Sequence, residues 1–255
     1  MRVCIVETPQ RIGEVSADWI QQLVAENSRL VLGVATGSSP VTIYEQLASR
    51  RADGQIDLSE VTGFALDEYV GLPTAHEQSY AHFVAEHVEK PLGMRPGAIR
   101  VPDGLADDLR AAASEFEDAI ARAGGIGLQI LGVGTNGHVG FNEPSSSLGS
   151  RTRVKTLAAQ TLADNARFFA DPSEVPRLCV TQGLGTILEA KRVLLVASGA
   201  SKAAAVAAIV EGPVSAMWPG SVLQHHPDTT VVIDEAAAAN LTLTDYYRST
   251  PFPER

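Results

Sequence analysis

Continuously apolar runs alternate along this chain with stretches of helical periodicity, and that order restricts the fold more than any other feature. Residues 2–6, 30–34, 61–66, 128–133, 193–197 and 229–233 read as strands, and 177–180 as a short one. Residues 13–26, 40–51, 79–88, 105–123, 185–190 and 201–210 read as helices. The clearest is 105–123, where Leu109, Ala113, Phe116, Ile120 and Ala123 recur every three or four positions before Gly124-Gly125 closes it. Strands that are apolar throughout, rather than alternating, belong in a sheet covered on both faces. Strand-then-helix order therefore predicts an α/β fold: a Rossmann-like three-layer α/β/α sandwich with a mostly parallel central sheet. No repeat or interdomain linker breaks the pattern, so residues 1–255 are expected to form a single domain. The alanine runs at 203–205 and 236–239 read as helix-forming composition, and the tail 251–255 as frayed.

Acidic residues outnumber basic ones by 30 to 20, for a net charge of -10. That balance argues against nucleic acid or an anionic membrane as partner. A small anion remains admissible, since it needs only one or two local cations and some backbone N–H groups. Cys4 and Cys179 each sit inside an apolar run and read as buried reduced thiols. No metal-ligand spacing is present, and no stretch approaches the roughly 20 apolar residues of a membrane span. The first residues read as a strand, not a signal peptide, which makes the cytoplasm the expected location.

Three stretches at strand ends carry chemistry. The first, Thr36-Gly37-Ser38-Ser39-Pro40, follows a strand, with Ser39 expected as N-cap and Pro40 as the first helical residue. Hydroxyls beside free backbone N–H groups form an anion cradle, although an ordinary capped turn has the same composition. The second places Asp67 and Glu68 directly after a strand. A carboxylate there can be desolvated into a usable base. Neighbours on an extended segment point opposite ways, so one of the pair is expected at the site while the other caps a turn. The third, Gly134-Thr135-Asn136-Gly137-His138-Val139-Gly140-Phe141-Asn142-Glu143-Pro144, is a glycine-rich turn bearing a His and a carboxylate, suited to proton transfer at a sheet edge. A plain connecting loop with a capping His is the alternative. Downstream, Arg151, Arg153 and Lys155 alternate on either a solvated face or a second anion site. Arg167 and Lys202 stand out as isolated cations, Lys202 at a helix start where an anionic ligand would reverse the dipole penalty, although simple solvation of the side chain accounts for it as well. The histidines at 76, 82, 87, 225 and 226 read as surface or packing residues, with His225-His226 a weak candidate for a pocket edge.

Together these stretches resemble the glucosamine-6-phosphate deaminase/isomerase family. The matching pieces run in family order: 35–40, Leu66-Asp67-Glu68-Tyr69-Val70-Gly71-Leu72, 134–144, 150–157 and Asn165-Ala166-Arg167-Phe168-Phe169. The resemblance implies conversion of glucosamine 6-phosphate and water to fructose 6-phosphate and ammonia, without metal or organic cofactor, on a small-molecule sugar phosphate. It implies Asp67 as the base moving a proton between C2 and C1. It further implies His138 as the ring-opening group, supported by Glu143 and Asn136, with Thr36, Gly37, Ser38, Ser39, Arg167 and Lys202 holding the phosphate. In relatives regulated by N-acetylglucosamine 6-phosphate, the residues matching Ser146, Arg153 and Lys155 bind the effector between subunits. A homo-oligomer with an allosteric site at those three is the corresponding expectation, with Tyr246 or Tyr247 as a contributing tyrosine. Two other readings share the layered fold: a 6-phosphogluconolactonase, disfavoured by Phe141-Asn142-Glu143-Pro144 and Tyr69-Val70-Gly71-Leu72, and a sugar-phosphate sensor, which would not need Asp67, His138 and Glu143 together.

Where some relatives carry Asp, this chain has Asn136, which can orient His138 but cannot ionise. His138 then depends on Glu143 for its charge partner. Glu143→Gln is expected to lower turnover of the cyclic substrate about tenfold or more; unchanged turnover would refute that dependence.

Overall fold

The computed structural model describes residues 1–249. In chain order the elements are β1 (Arg2–Val6), α1 (Pro9–Glu26), β2 (Val31–Val34), α2 (Val41–Ala52), β3 (Thr62–Ala65), β4 (Asp67–Tyr69), α3 (Tyr80–Val84), a π turn (Ala85–Glu89), α4 (Lys90–Leu92), β5 (Ile99–Arg100), α5 (Leu109–Arg122), β6 (Leu128–Leu131), β7 (Arg153–Thr156), α6 (Ala159–Ala166), β8 (Leu178–Thr181), α7 (Leu184–Leu188), β9 (Val193–Ala197), α8 (Ala203–Val210), β10 (Thr229–Asp234) and α9 (Thr244–Ser249). Among the described residues, seven strands pair in the order β1-β10-β9-β6-β2-β3-β5, every neighbouring pair parallel, and helices flank the sheet. The three-layer expectation holds. The apolar strand runs fill the core: β9 is buried at all five positions and β6 at all four.

The chain order steps one way from β2 to β3 and the other way from β6 to β9 and β10. The carboxyl ends of β2 and β6 therefore flank the point where the winding reverses, where a crevice opens in sheets of this kind. Two turns meet there: a Cβ placed on Gly132, just after β6, would lie 3.6 Å from the Ser39 Cβ, in the turn after β2.

A second sheet was not legible as such in the sequence. Strand β4 leaves the end of β3 and pairs antiparallel with β8, which pairs antiparallel with β7. Asp67 opposes Thr181 and Tyr69 opposes Cys179. Tyr69, Leu72, Phe141, Leu157, Phe169, Val175 and Cys179 form a second apolar cluster around this small sheet.

Several boundaries differ from the expected ones for identifiable reasons. Helix α1 begins at Pro9 because the Thr8 hydroxyl caps it, accepting from the Arg11 N–H at 3.2 Å. Helix α5 begins at Leu109, not 105, because Asp108 accepts from both the Arg110 and Ala111 N–H groups at 3.0 Å. The expected 79–88 helix runs on through the π turn to Leu92; the wider turn accommodates Pro91, which has no N–H and would crowd an ordinary α turn. Ser39 does not cap α2. Pro40 takes the N-cap position with helical dihedrals, and no side chain caps the helix. Residues 236–239 form turns instead of helix. Cys179 is buried, but Cys4 is only half-buried. The tail 251–255 lies outside the described residues. Among the described residues, no helix is long and apolar enough to cross a membrane.

Gly13 lets α1 approach α2 closely: a Cβ there would fall 2.5 Å from the Thr42 carbonyl oxygen. Alanine normally favours a helix over glycine by about 1 kcal/mol. Backbone overlap typically costs about 1–3 kcal/mol and outweighs that gain. Gly13→Ala is therefore expected to lower the Tm by several degrees in a thermal melt; a raised Tm would show that the helices can separate freely.

Candidate active site

A cavity of about 660 Å³ occupies the crevice at the strand ends. Thr36, Gly37, Ser38 and Ser39 line it from the turn after β2, Asp67 and Tyr69 from β4, and Gly134, Thr135, His138 and Gly140 from the turn after β6. Asp164, Asn165 and Arg167 enter from α6 and its end, and Ser198, Ser201 and Lys202 from the turn before α8. The structure thus brings Asp67, His138, Arg167, Lys202 and the serine-rich turn to one space. Asn136 and Glu143 stand behind His138 and do not line the cavity. Ser146, Arg153 and Lys155 lie outside the lining as well. His225 and His226 do not border it either: the buried His226 ring sits 2.7 Å from the Ala190 carbonyl and accepts from the Asp228 N–H.

Asp67 is only 4% exposed. Burial, with the neighbouring Glu68 charge, pushes its carboxyl up to about 8, against weaker opposing contributions from the Phe141 N–H and the Thr181 hydroxyl. Glu68 points the other way and is tied to backbone, accepting from the N–H groups of Tyr69 (2.8 Å), Tyr80 (3.0 Å) and Ala81 (2.8 Å). It therefore caps the first turn of α3 and fixes Tyr80, whose ring packs on Tyr69 and Phe141 at centroid separations of 5.1 and 5.8 Å. The two adjacent carboxylates divide their roles as strand geometry requires.

Glycines bring the third stretch against Asp67. Gly140 has φ +56°, and a Cβ on it would come within 3.4 Å of Asp67 Oδ2 and 3.1 Å of Thr181 Oγ1. A Cβ on Gly134 would fall 2.2 Å from the His138 ring, so the imidazole folds over a position that must lack a side chain. Glu143 Oε2 faces His138 Nδ1 at 3.6 Å, an electrostatic pairing beyond hydrogen-bond length. Glu143 is itself buried; burial works against its charge, but the facing His138 and Thr161 side chains and the Ala158 N–H outweigh this and hold the carboxyl down at about 2. Asn136 bridges the arrangement: its amide donates to Glu143 Oε2 at 2.9 Å, and its oxygen accepts from the His138 backbone N–H at 3.2 Å. It orients the turn and the carboxylate, whereas the sequence had suggested the imidazole ring.

Lys202 is half-buried, and burial lowers its pKa, as does Arg167, while Asp164 opposes the shift. The turn that carries it is held from below by Asp234 at the end of β10, which accepts from the Ser198 hydroxyl at 2.7 Å and the Gly199 N–H at 3.0 Å. Arg167 lies over the Phe168 ring at 4.7 Å. Sequence reasoning missed Tyr80, Thr135, Asp164 and Asp234. Tyr80 and Asp234 had no local signal; Thr135 and Asp164 fall inside or beside quoted stretches but carry no recognisable spacing. Among the described residues, no group of three His, Cys, Asp or Glu side chains is placed to hold a metal ion.

Residues 7–232 match the family described as glucosamine-6-phosphate isomerases/6-phosphogluconolactonase. The chain belongs to that family. Within it, a relative from Mycolicibacterium smegmatis named glucosamine-6-phosphate deaminase is 54% identical over 98% of this chain and 96% of its own length. A relative of the same name from Cutibacterium acnes is 54% identical with the same coverage. A solved structure described as a monomeric glucosamine-6-phosphate deaminase superposes with a TM-score of 0.92 at 38% identity, over 94% of this chain and 100% of that one. A 6-phosphogluconolactonase from Trypanosoma cruzi superposes with a TM-score of 0.75 at 19% identity, over 94% and 97%, which shows the shared family fold alone.

The raised Asp67 pKa has a consequence for stability. Near neutral pH the folded chain holds a proton on Asp67 that the unfolded chain releases, so folding is disfavoured progressively as pH rises from about 4 towards 8. Asp67→Asn removes this penalty. Its stability advantage over wild type is expected to be absent near pH 4 and to grow to on the order of 2 kcal/mol or more by pH 8, read by denaturant unfolding. An advantage independent of pH would contradict the assignment.

Proposed function

We propose that this chain is a glucosamine-6-phosphate deaminase, converting glucosamine 6-phosphate and water to fructose 6-phosphate and ammonia. The observation that carries the reading is the shared cavity of Asp67 and His138, closed at one end by a hydroxyl-rich turn and two cations. Relatives of that name at 54% identity over nearly the whole chain support it.

The chemistry follows from the geometry. The phosphate lies against the Thr36–Ser39 turn, Arg167 and Lys202, which supplies orientation rather than chemistry. His138, paired with Glu143, moves the proton from the C1 hydroxyl to the ring oxygen and opens the pyranose to the aldehyde. Asp67 then removes the C2 proton, made acidic by the adjacent carbonyl, and returns it to C1, while one proton of the C2 ammonium passes to the C1 oxygen. That transfer leaves an imine at C2, which water hydrolyses to the ketone and ammonia. In the empty site burial favours protonated Asp67; the substrate's positive C2 ammonium next to the carboxyl draws it back to its ionised, basic form. No metal or organic cofactor is required by these steps.

Residues 1–255 act as one domain in this reading, in the cytoplasm. Self-association would use the edge strand β7, which carries Arg153 and Lys155 at alternate positions, with Ser146, Arg153 and Lys155 forming the effector site. Arg153 donates to Asn142 Oδ1 at 2.9 Å, which links that strand to the turn bearing His138. Sedimentation at working concentration separates an oligomer from a monomer.

The deciding assay is ammonia release from glucosamine 6-phosphate, run beside hydrolysis of 6-phosphogluconolactone. Wild type is expected to release ammonia and leave the lactone untouched, and Asp67→Asn to lose about three or more orders of magnitude, since a carboxamide cannot accept the proton. Lactone hydrolysis without ammonia would favour the lactonase; fructose 6-phosphate binding without turnover would favour a sensor.

A further inference from the structure

One carboxylate in the cavity has no part in the chemistry above and stands where a carboxylate is least expected. Asp164 lies on α6 three residues before Arg167, so the two share a face of the helix end. Both line the cavity together with Lys202. The carboxylate is held in place from two sides: Gln160 Nε2, one turn back on the helix, donates to Oδ1 at 2.8 Å, and the Thr135 hydroxyl on the glycine-rich turn faces Oδ2 at 3.5 Å. It is half-buried and close enough to Lys202 to counter the repulsion from Arg167.

We infer that Asp164 is a built-in rival for the substrate's phosphate and sets how tightly the anion subsite grips. The inference rests on the phosphate subsite proposed above. Two cations facing one cavity repel each other, and burial adds to the cost of holding Lys202 charged. Asp164 supplies the missing negative charge while the subsite is empty. An arriving phosphate dianion takes over that task with two charges, and Asp164 then faces it as a like charge. Part of the attraction between cations and phosphate is thus cancelled before binding, which lowers affinity for substrate and product alike. Because the phosphate is remote from C1 and C2, the loss is uniform between ground and transition states and falls on KM rather than on the proton transfer.

The test measures the calorimetric Kd of inorganic phosphate for wild type, Asp164→Asn and Asp164→Glu, with KM and kcat for glucosamine 6-phosphate beside it. Asp164→Asn is expected to bind phosphate about 3- to 30-fold more tightly, a span typical of removing one half-buried like charge. Its KM should fall in parallel while kcat stays within about threefold. Asp164→Glu, which keeps the charge, should stay within about twofold of wild type. A purely structural role would move the melting temperature of Asp164→Asn and leave the Kd unchanged; an unchanged or weaker Kd overturns the inference. The proposed activity fails separately: a wild type that binds phosphate but releases no ammonia sinks the deaminase reading and leaves the Kd comparison standing. A wild type that does not bind phosphate removes the subsite and overturns the inference with it.

Discussion

The burial of one carboxyl group without a cationic partner at Asp67 is the constraint on which the rest of the site depends. The group sits where the chain leaves the parallel sheet at the end of β3 and enters the antiparallel pairing with β8. An ionised carboxylate in such surroundings costs several kcal/mol, and a chain without a use for it would do better with an apolar residue. Its nearest charged neighbour, Glu68, makes the cost larger. That arrangement is intelligible if the compensating positive charge arrives with the ligand. The large apolar core around β9, β10 and β6 is what allows the fold to tolerate a local penalty of this size.

Several other features of the cavity are organised around that carboxyl. Gly134 lets the His138 ring fold over it at an approach no Cβ would permit, and Gly140, at φ +56°, turns the chain beside Asp67 where a Cβ would be tight against Thr181 at 3.1 Å. Glu143 and Asn136 fix the turn from behind through part-buried bonds, although neither lines the cavity. Asp234 braces the turn that carries Lys202, so that part of the cavity wall rests on the sheet itself instead of on a free loop. The distance between the two ends is set by strand order, because β2 and β6 are neighbours at the reversal of winding.

How much of this could be read from the sequence depended on whether the information was local. The parallel sheet was legible because its strands are apolar throughout, and the active strand ends because glycine, His and carboxylate cluster within a few positions. The small antiparallel sheet was not, since β4 has three residues and β7 alternates cations in a pattern shared by a solvated loop. Ser39 and Pro40 carried a textual capping signal that the backbone did not use, because Pro40 adopted helical dihedrals one position early. Tyr80, Asp164 and Asp234 reach the site only through tertiary placement, and no spacing along the chain announces them.

The protonation state of Asp67 can be observed directly. Carbon-13 NMR of the aspartate carboxyls, with Asp67→Asn to assign the resonance, follows that group through pH in the ligand-free protein. The expected titration midpoint is near 8, as burial beside Glu68 dictates. A midpoint in the ordinary carboxylate range, about 4, would mean that Asp67 is solvated rather than buried, and would contradict its role as a base tuned by its surroundings.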